Sequence, residues 1–71
     1  MLIINKKEFD KRLQLAALNY SSLAAETGLA YSTISKIANG DRVPRAGTLR
    51  KITEALNCTP ADILEEVPEN E

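Results

Sequence analysis

Tyr31, Ser32, Thr33, Ser35 and Lys36 lie within one six-residue run. They supply hydroxyls and one ammonium group, chemistry for hydrogen bonds and ion pairs rather than for breaking covalent bonds. Catalysis finds little support elsewhere. The chain has no histidine, so the commonest general base is missing. Its one cysteine, Cys58, has no imidazole to activate it and no second thiol to pair with. A small apolar role beside the last helix suits it better. Asp41, Asp62 and Glu65 show no paired arrangement. A zinc site of the Cys/His kind is excluded by the same counts. No cofactor is implied, and the sequence reads as that of a non-enzyme.

Those side chains need a short helix to carry them. The stretch NYSSLAAETGLAYSTISKIANG, Asn19 to Gly40, supplies it. Leu23 and Ala24 share a helix face before Gly28. Ile34 and Ile37, three residues apart, share another after it. Gly28 adopts the left-handed conformation without penalty and can end the first of these helices. Leu29 then dips toward the core, Tyr31 opens the second helix, and Asn39-Gly40 closes it with a turn dipeptide. Two short helices at a sharp angle, joined by a tight turn, make a helix-turn-helix unit. With Ile34 and Ile37 inside, Tyr31, Ser32, Ser35 and Lys36 face out or flank the exposed side. Ala30 at the cap position has no side-chain oxygen, which leaves the first amides free for water or a phosphate.

A chain of 71 residues allows one domain. Its core is marginal at that size, so helices with local contacts are the natural solution. Aromatics are 4% of the residues and Trp is absent, while Leu and Ala are frequent, which favours an all-α fold. No apolar run approaches the ~20 residues that span a bilayer. Leu2-Ile3-Ile4 is far shorter than the ~7–15-residue apolar region of a signal peptide. A cytoplasmic protein with no membrane partner is expected. The net charge of −1 argues against a polyanionic partner, but its distribution reverses that. Residues 1–61 hold all nine Lys and Arg against five acids, whereas residues 62–71 hold five acids and no base. From Lys36 to Lys51 there are five cations and one acid. That is the footprint phosphate contacts need. On charge alone an ordinary solvated surface explains it equally well.

The rest of the chain reads as support. Asn5 caps a first helix over about Lys6–Ala17, with Glu8 at the capping-box spacing and Ile4 and Phe9 in the staple positions. Phe9, Leu13, Ala16 and Ala17 form its inner face. The apolar arm Met1–Ile4 reads as that staple; the alternative is a strand that pairs with a second subunit. Asn19 caps a second helix, about Tyr20–Thr27, and the third runs about Tyr31–Asn39. After a loop from Gly40 to Pro44, a fourth helix, Arg45–Leu56, buries Leu49, Ile52, Thr53 and Leu56 and closes at Asn57. Thr59-Pro60-Ala61-Asp62 is a helix start, with threonine as cap, proline first and an acid third. A short fifth helix then runs to about Glu65 or Glu66, burying Ile63 and Leu64. Residues 1–66 make the domain and 67–71 a frayed acidic tail.

The run LAAETGLAYSTISKIANG, followed from Pro44 to Leu56 by P-x-x-x-T-L-x-K-I-x-x-A-L, resembles the lambda-repressor-like (Cro/C1, also called XRE) helix-turn-helix proteins of phages and bacteria. The resemblance spans about residues 6–65. It implies a compact, all-α, five-helix lambda-repressor-like domain with the helix-turn-helix at helices 2 and 3. Helix 3, about 31–39, would lie in the major groove of double-stranded DNA, with helix 2 crossing the backbone above it. Tyr31, Ser32 and Lys36 match the positions that make most base contacts in the family, with Ser35 and Thr33 as additions. Asn19, Asn39 and Arg42 match phosphate-contact positions. Tyr20 matches a glutamine that grips phosphate, and Arg45 and Lys51 are further candidates. The function implied is that of a sequence-specific transcriptional regulator, a Cro/C1-type repressor acting as a homodimer on an operator. The alternative is a regulator that docks on a protein partner, as antitoxins and antirepressors do, and the acidic net charge and apolar arm are compatible with it.

Three departures from the family pattern matter. Leu13 and Ala38 occupy the positions of an arginine–glutamate pair. Both are apolar together, so no buried charge is stranded, and such a replacement is often neutral or stabilising. Tyr20 stands where the family glutamine also braces the first reading residue, and a tyrosine is not expected to brace in the same way. The reading helix offers no Gln or Asn for bidentate contacts to adenine. Selectivity then falls to Lys36, to the Tyr31 ring against thymine methyls, and to DNA shape.

Overall fold

A computed structural model describes residues 2–68. The element order is β1 (Leu2–Ile4), α1 (Lys6–Leu15), α2 (Tyr20–Thr27), α3 (Tyr31–Ala38), α4 (Ala46–Leu56), α5 (Pro60–Ile63) and β2 (Leu64–Glu66). Asn5 opens α1, its side chain accepting from the Glu8 amide at 3.1 Å. The reciprocal arm of a capping box is not formed, because the Asn5 N–H donates instead to the Ile63 carbonyl at 2.8 Å. At Asn19 both arms are formed: its side chain accepts from the Ser22 amide and Ser22 Oγ accepts from the Asn19 amide, each at 2.8 Å.

Three helices end in one pattern. Gly40 takes φ +81°, and the Asp41 N–H bonds back to the Lys36 carbonyl at 2.9 Å. Asn57, at φ +57°, closes α4 the same way, with Cys58 N–H on Thr53 O at 3.0 Å. These are the 6→1 bonds of Schellman endings. Helix α1 also ends so, two residues before the expected Ala17. The Leu18 N–H reaches Leu13 O at 2.9 Å while Ala17 itself sits at φ +58°. An alanine there carries a steric cost that glycine would not, and so the sequence showed no stop signal.

The fifth helix is shorter than expected. It ends at Ile63, and Leu64–Glu66 continues as a strand antiparallel to Leu2–Ile4. Leu2 faces Glu66, Ile3 faces Glu65 and Ile4 faces Leu64. The N-terminal arm is therefore a strand, but its partner is in the same chain. Pairing satisfies the backbone of both segments while Ile4 is buried against the helices. The all-α body stands, with a two-stranded ribbon fastened to it. Of the expected tail, Val67 is half-buried, and Glu69, Asn70 and Glu71 lie outside the described residues.

Phe9, Leu23, Ile34, Ile37, Ile52 and Ile63 are fully buried, so each of the five helices feeds one core. Leu13 and Ala38 belong to it; the two positions that carry charge in the family are packed here with carbon. Cys58 is half-buried against this core. Burial pushes its thiol up, away from the thiolate that nucleophilic chemistry needs.

Asp62 anchors the start of α5. Its carboxylate accepts from the Thr59 amide at 2.9 Å and from the Thr59 hydroxyl at 3.1 Å. Those bonds, with Arg12 at 3.6 Å, hold it below the ordinary carboxylate range. A carboxyl depressed in the folded state stabilises above its ordinary pKa, and that contribution is lost as pH falls through the lower folded value. Thr59→Ala should cost ~1 kcal/mol near neutral pH, and less in strong acid. Urea unfolding of both proteins at the two pH values is the measurement. Superimposable curves near neutrality would mean that the Thr59 hydroxyl contributes nothing.

Candidate nucleic-acid interface

The angle between α2 and α3 is held by a residue the sequence did not mark out. Thr27 is buried; its hydroxyl donates to the Leu23 carbonyl at 2.8 Å and accepts from the Leu29 N–H at 3.3 Å. It stitches the last turn of α2 to the linker. Gly28 then reverses the chain at φ +75°. Ile34, Ile37 and Ala38 bury one face of α3 completely. Helical periodicity turns the opposite face outward, where Tyr31, Ser32 and Lys36 are exposed. Tyr31 keeps 56% of its surface. Thr33 and Ser35 are half-buried at the margins. Thr33 lines a groove with Arg42, Arg45 and Thr48, so it belongs with the loop after α3 rather than with the outward trio. Ala30 makes no side-chain cap, and the first amides of α3 remain available, as expected.

Charge sharpens the picture. Among the described residues, ion pairs join Lys6 to Asp10 at 3.0 Å, Lys11 to Glu8 at 4.0 Å and Arg12 to Asp62 at 3.6 Å. All three neutralise cations of α1. None reaches Lys36, Arg42, Arg45, Arg50 or Lys51. The basic run thus keeps its charge, and its fields add. The phosphate-contact candidates divide, however. Arg42 and Arg45 share the groove beside Thr33, whereas Lys51 lines a different one with Glu26 and Glu54. Two carboxylates beside Lys51 weaken its pull on an anion. Asn39 is exposed at the end of α3. Asn19 is exposed too, its Oδ1 committed to the cap.

Tyr20 is held on several sides. Its hydroxyl donates to Asp10 at 3.4 Å and accepts from Lys6 Nζ at 3.4 Å. Its ring stands edge-on to Phe9, centroids 6.3 Å apart. The same ring is tilted 60° against Tyr31 at 6.0 Å. The tyrosine does not brace its neighbour on α3 as a glutamine would: the two rings are in contact distance, and the contact is aromatic rather than hydrogen-bonded. Sequence spacing alone carries no signal for a contact between rings on two helices.

The comparisons agree with this fold. A family model for the Cro/C1-type helix-turn-helix DNA-binding domain matches residues 8–69. The fold also matches the crystal structure of a Bacteroides fragilis protein provisionally described as DNA-binding, with a TM-score of 0.75 and 25% identity, covering 92% of this chain and 100% of that one. No curated protein matches the chain. With the helix-turn-helix, the outward trio on α3 and the family match over nearly the whole length in agreement, the chain belongs to the Cro/C1-type helix-turn-helix DNA-binding family.

Proposed function

We propose that this chain is a sequence-specific transcriptional regulator, a Cro/C1-type repressor that lays α3 in the major groove of its operator. The observation that carries the reading is the trio Tyr31, Ser32 and Lys36 on a helix whose other face is fully buried, flanked by arginines that make no ion pair among the described residues. Arg42 and Arg45, with Asn19 and Asn39, grip phosphates and release counterions, which supplies affinity on any sequence. The trio adds selectivity at base edges, with Ser35 and Thr33 at its margins. One such domain presents a small interface. Tight binding then calls for a symmetric homodimer on a pseudopalindrome with half-sites ~34 Å apart. A cytoplasmic location follows from that role.

In-vitro selection from random duplex DNA at two salt concentrations tests the whole reading. An enriched inverted repeat is expected. Absence of enrichment at both salts, with a protein partner co-purifying from the native host, would favour the protein-docking regulator instead. Arg42→Ala should weaken binding to all sequences alike and lower the slope of log K against log salt by about one. A slope equal to the parent's would remove Arg42 from the phosphate contacts.

A further inference from the structure

We infer that Tyr20 is a positioning residue for base reading: its ring sets the direction of the Tyr31 side chain, while its hydroxyl is held by α1 and not by DNA. The inference rests on the assignment of α3 as the reading helix. Tyr31 is the first residue of that helix and more than half exposed. An unsupported tyrosine in that place would exchange among rotamers and lose that freedom on binding. The Tyr20 ring, 6.0 Å away and tilted 60°, falls within the range of favourable aromatic pairs.

Tyr20 is itself fixed. Phe9, wholly buried, meets its ring at 75° and 6.3 Å. Asp10 and Lys6 hold its hydroxyl, and they pair with each other at 3.0 Å. The same cluster raises the Lys6 ammonium above its ordinary pKa, through Asp10 first and Tyr20 second. Three rings therefore run from the core to the outer face of α3, and a polar cluster on α1 clamps the middle one. A hydroxyl whose proton already goes to a carboxylate has none for a phosphate.

The test compares Tyr20→Phe and Tyr20→Leu, each alone and with Tyr31→Ala. The readouts are the ratio of operator to random-DNA affinity, the salt slope, and the Tyr31 ring-proton shifts of the free protein. Tyr20→Phe should preserve the ratio. Tyr20→Leu should lower it about 3- to 10-fold, the scale of one aromatic pair, with random-DNA affinity and salt slope unchanged. In the Tyr31→Ala background Tyr20→Leu should add nothing. Tyr31 ring protons should move toward solvent-exposed positions in Tyr20→Leu and stay in place in Tyr20→Phe. Should the leucine variant not fold, cross-relaxation between the two rings in the parent reports the pairing directly, and its absence overturns the inference. Equal weakening of all DNA by Tyr20→Phe and Tyr20→Leu would make Tyr20 a phosphate ligand and overturn it too. If Lys36→Ala also left selectivity untouched, the reading of α3 would have failed, and the ring shifts would still decide the pairing.

Discussion

Phe9→Ala is expected to cost about 3–5 kcal/mol, the range for removing a buried phenyl ring. Phe9 is fully buried in the core and supports the edge of Tyr20. No water fills the gap cheaply, because the lining is apolar. The whole domain has about 4–10 kcal/mol to lose at the usual stability per residue. The variant should therefore sit at the edge of folding. At ~4–8 °C per kcal/mol for a domain of this size, its thermal midpoint should fall by at least about 12 °C. Phe9→Leu should recover most of the difference. A midpoint for Phe9→Ala within a few degrees of the parent's would mean that the core does not depend on this ring.

The second large effect concerns reading. Tyr31→Ala and Lys36→Ala should each cost ~1–3 kcal/mol on the preferred operator and blur its consensus. Neither should destabilise the fold, since both side chains are exposed and outside the core. Lys36 carries no ion pair among the described residues, so none of their carboxylates competes for its ammonium. Its natural base partner is the acceptor pair on guanine. If Lys36 meets a phosphate instead, its loss will show on random DNA and as a lower salt slope. Equal losses on operator and random duplex, for both variants, would refute base reading by α3. The operator-to-random ratio at two salts separates these outcomes.

Much of this architecture was written locally. Asn5, Asn19 and the Thr59-Pro60-Ala61-Asp62 run mark helix starts because capping is a contact between neighbours three residues apart. Gly28 and Asn57 mark helix ends because left-handed backbone selects their types. The inward faces of α3 and α4 follow from apolar spacing alone. What escaped the sequence was decided at a distance or against propensity. Ala17 holds a position that glycine would have advertised. The ribbon joins residues sixty or more apart along the chain, so neither Leu2-Ile3-Ile4 nor Leu64-Glu65-Glu66 reveals its partner. The outward trio was legible from periodicity, with its roles supplied by family resemblance. The separation of Lys51 from Arg42 and Arg45, the stitch made by Thr27 and the ring contact between Tyr20 and Tyr31 all depend on how helices meet.

That ribbon has a consequence for how the domain tolerates rewiring. Leu2 sits across from Glu66, and Asn5 is bonded to Ile63, so the two extremities of the fold are clasped together. A circularly permuted chain, sewn across this clasp by a brief linker and opened at an exposed loop elsewhere, should regain the same shape. Clipping the chain before Leu64 should do the opposite: it would uncover Ile4 and loosen the leading edge of α1.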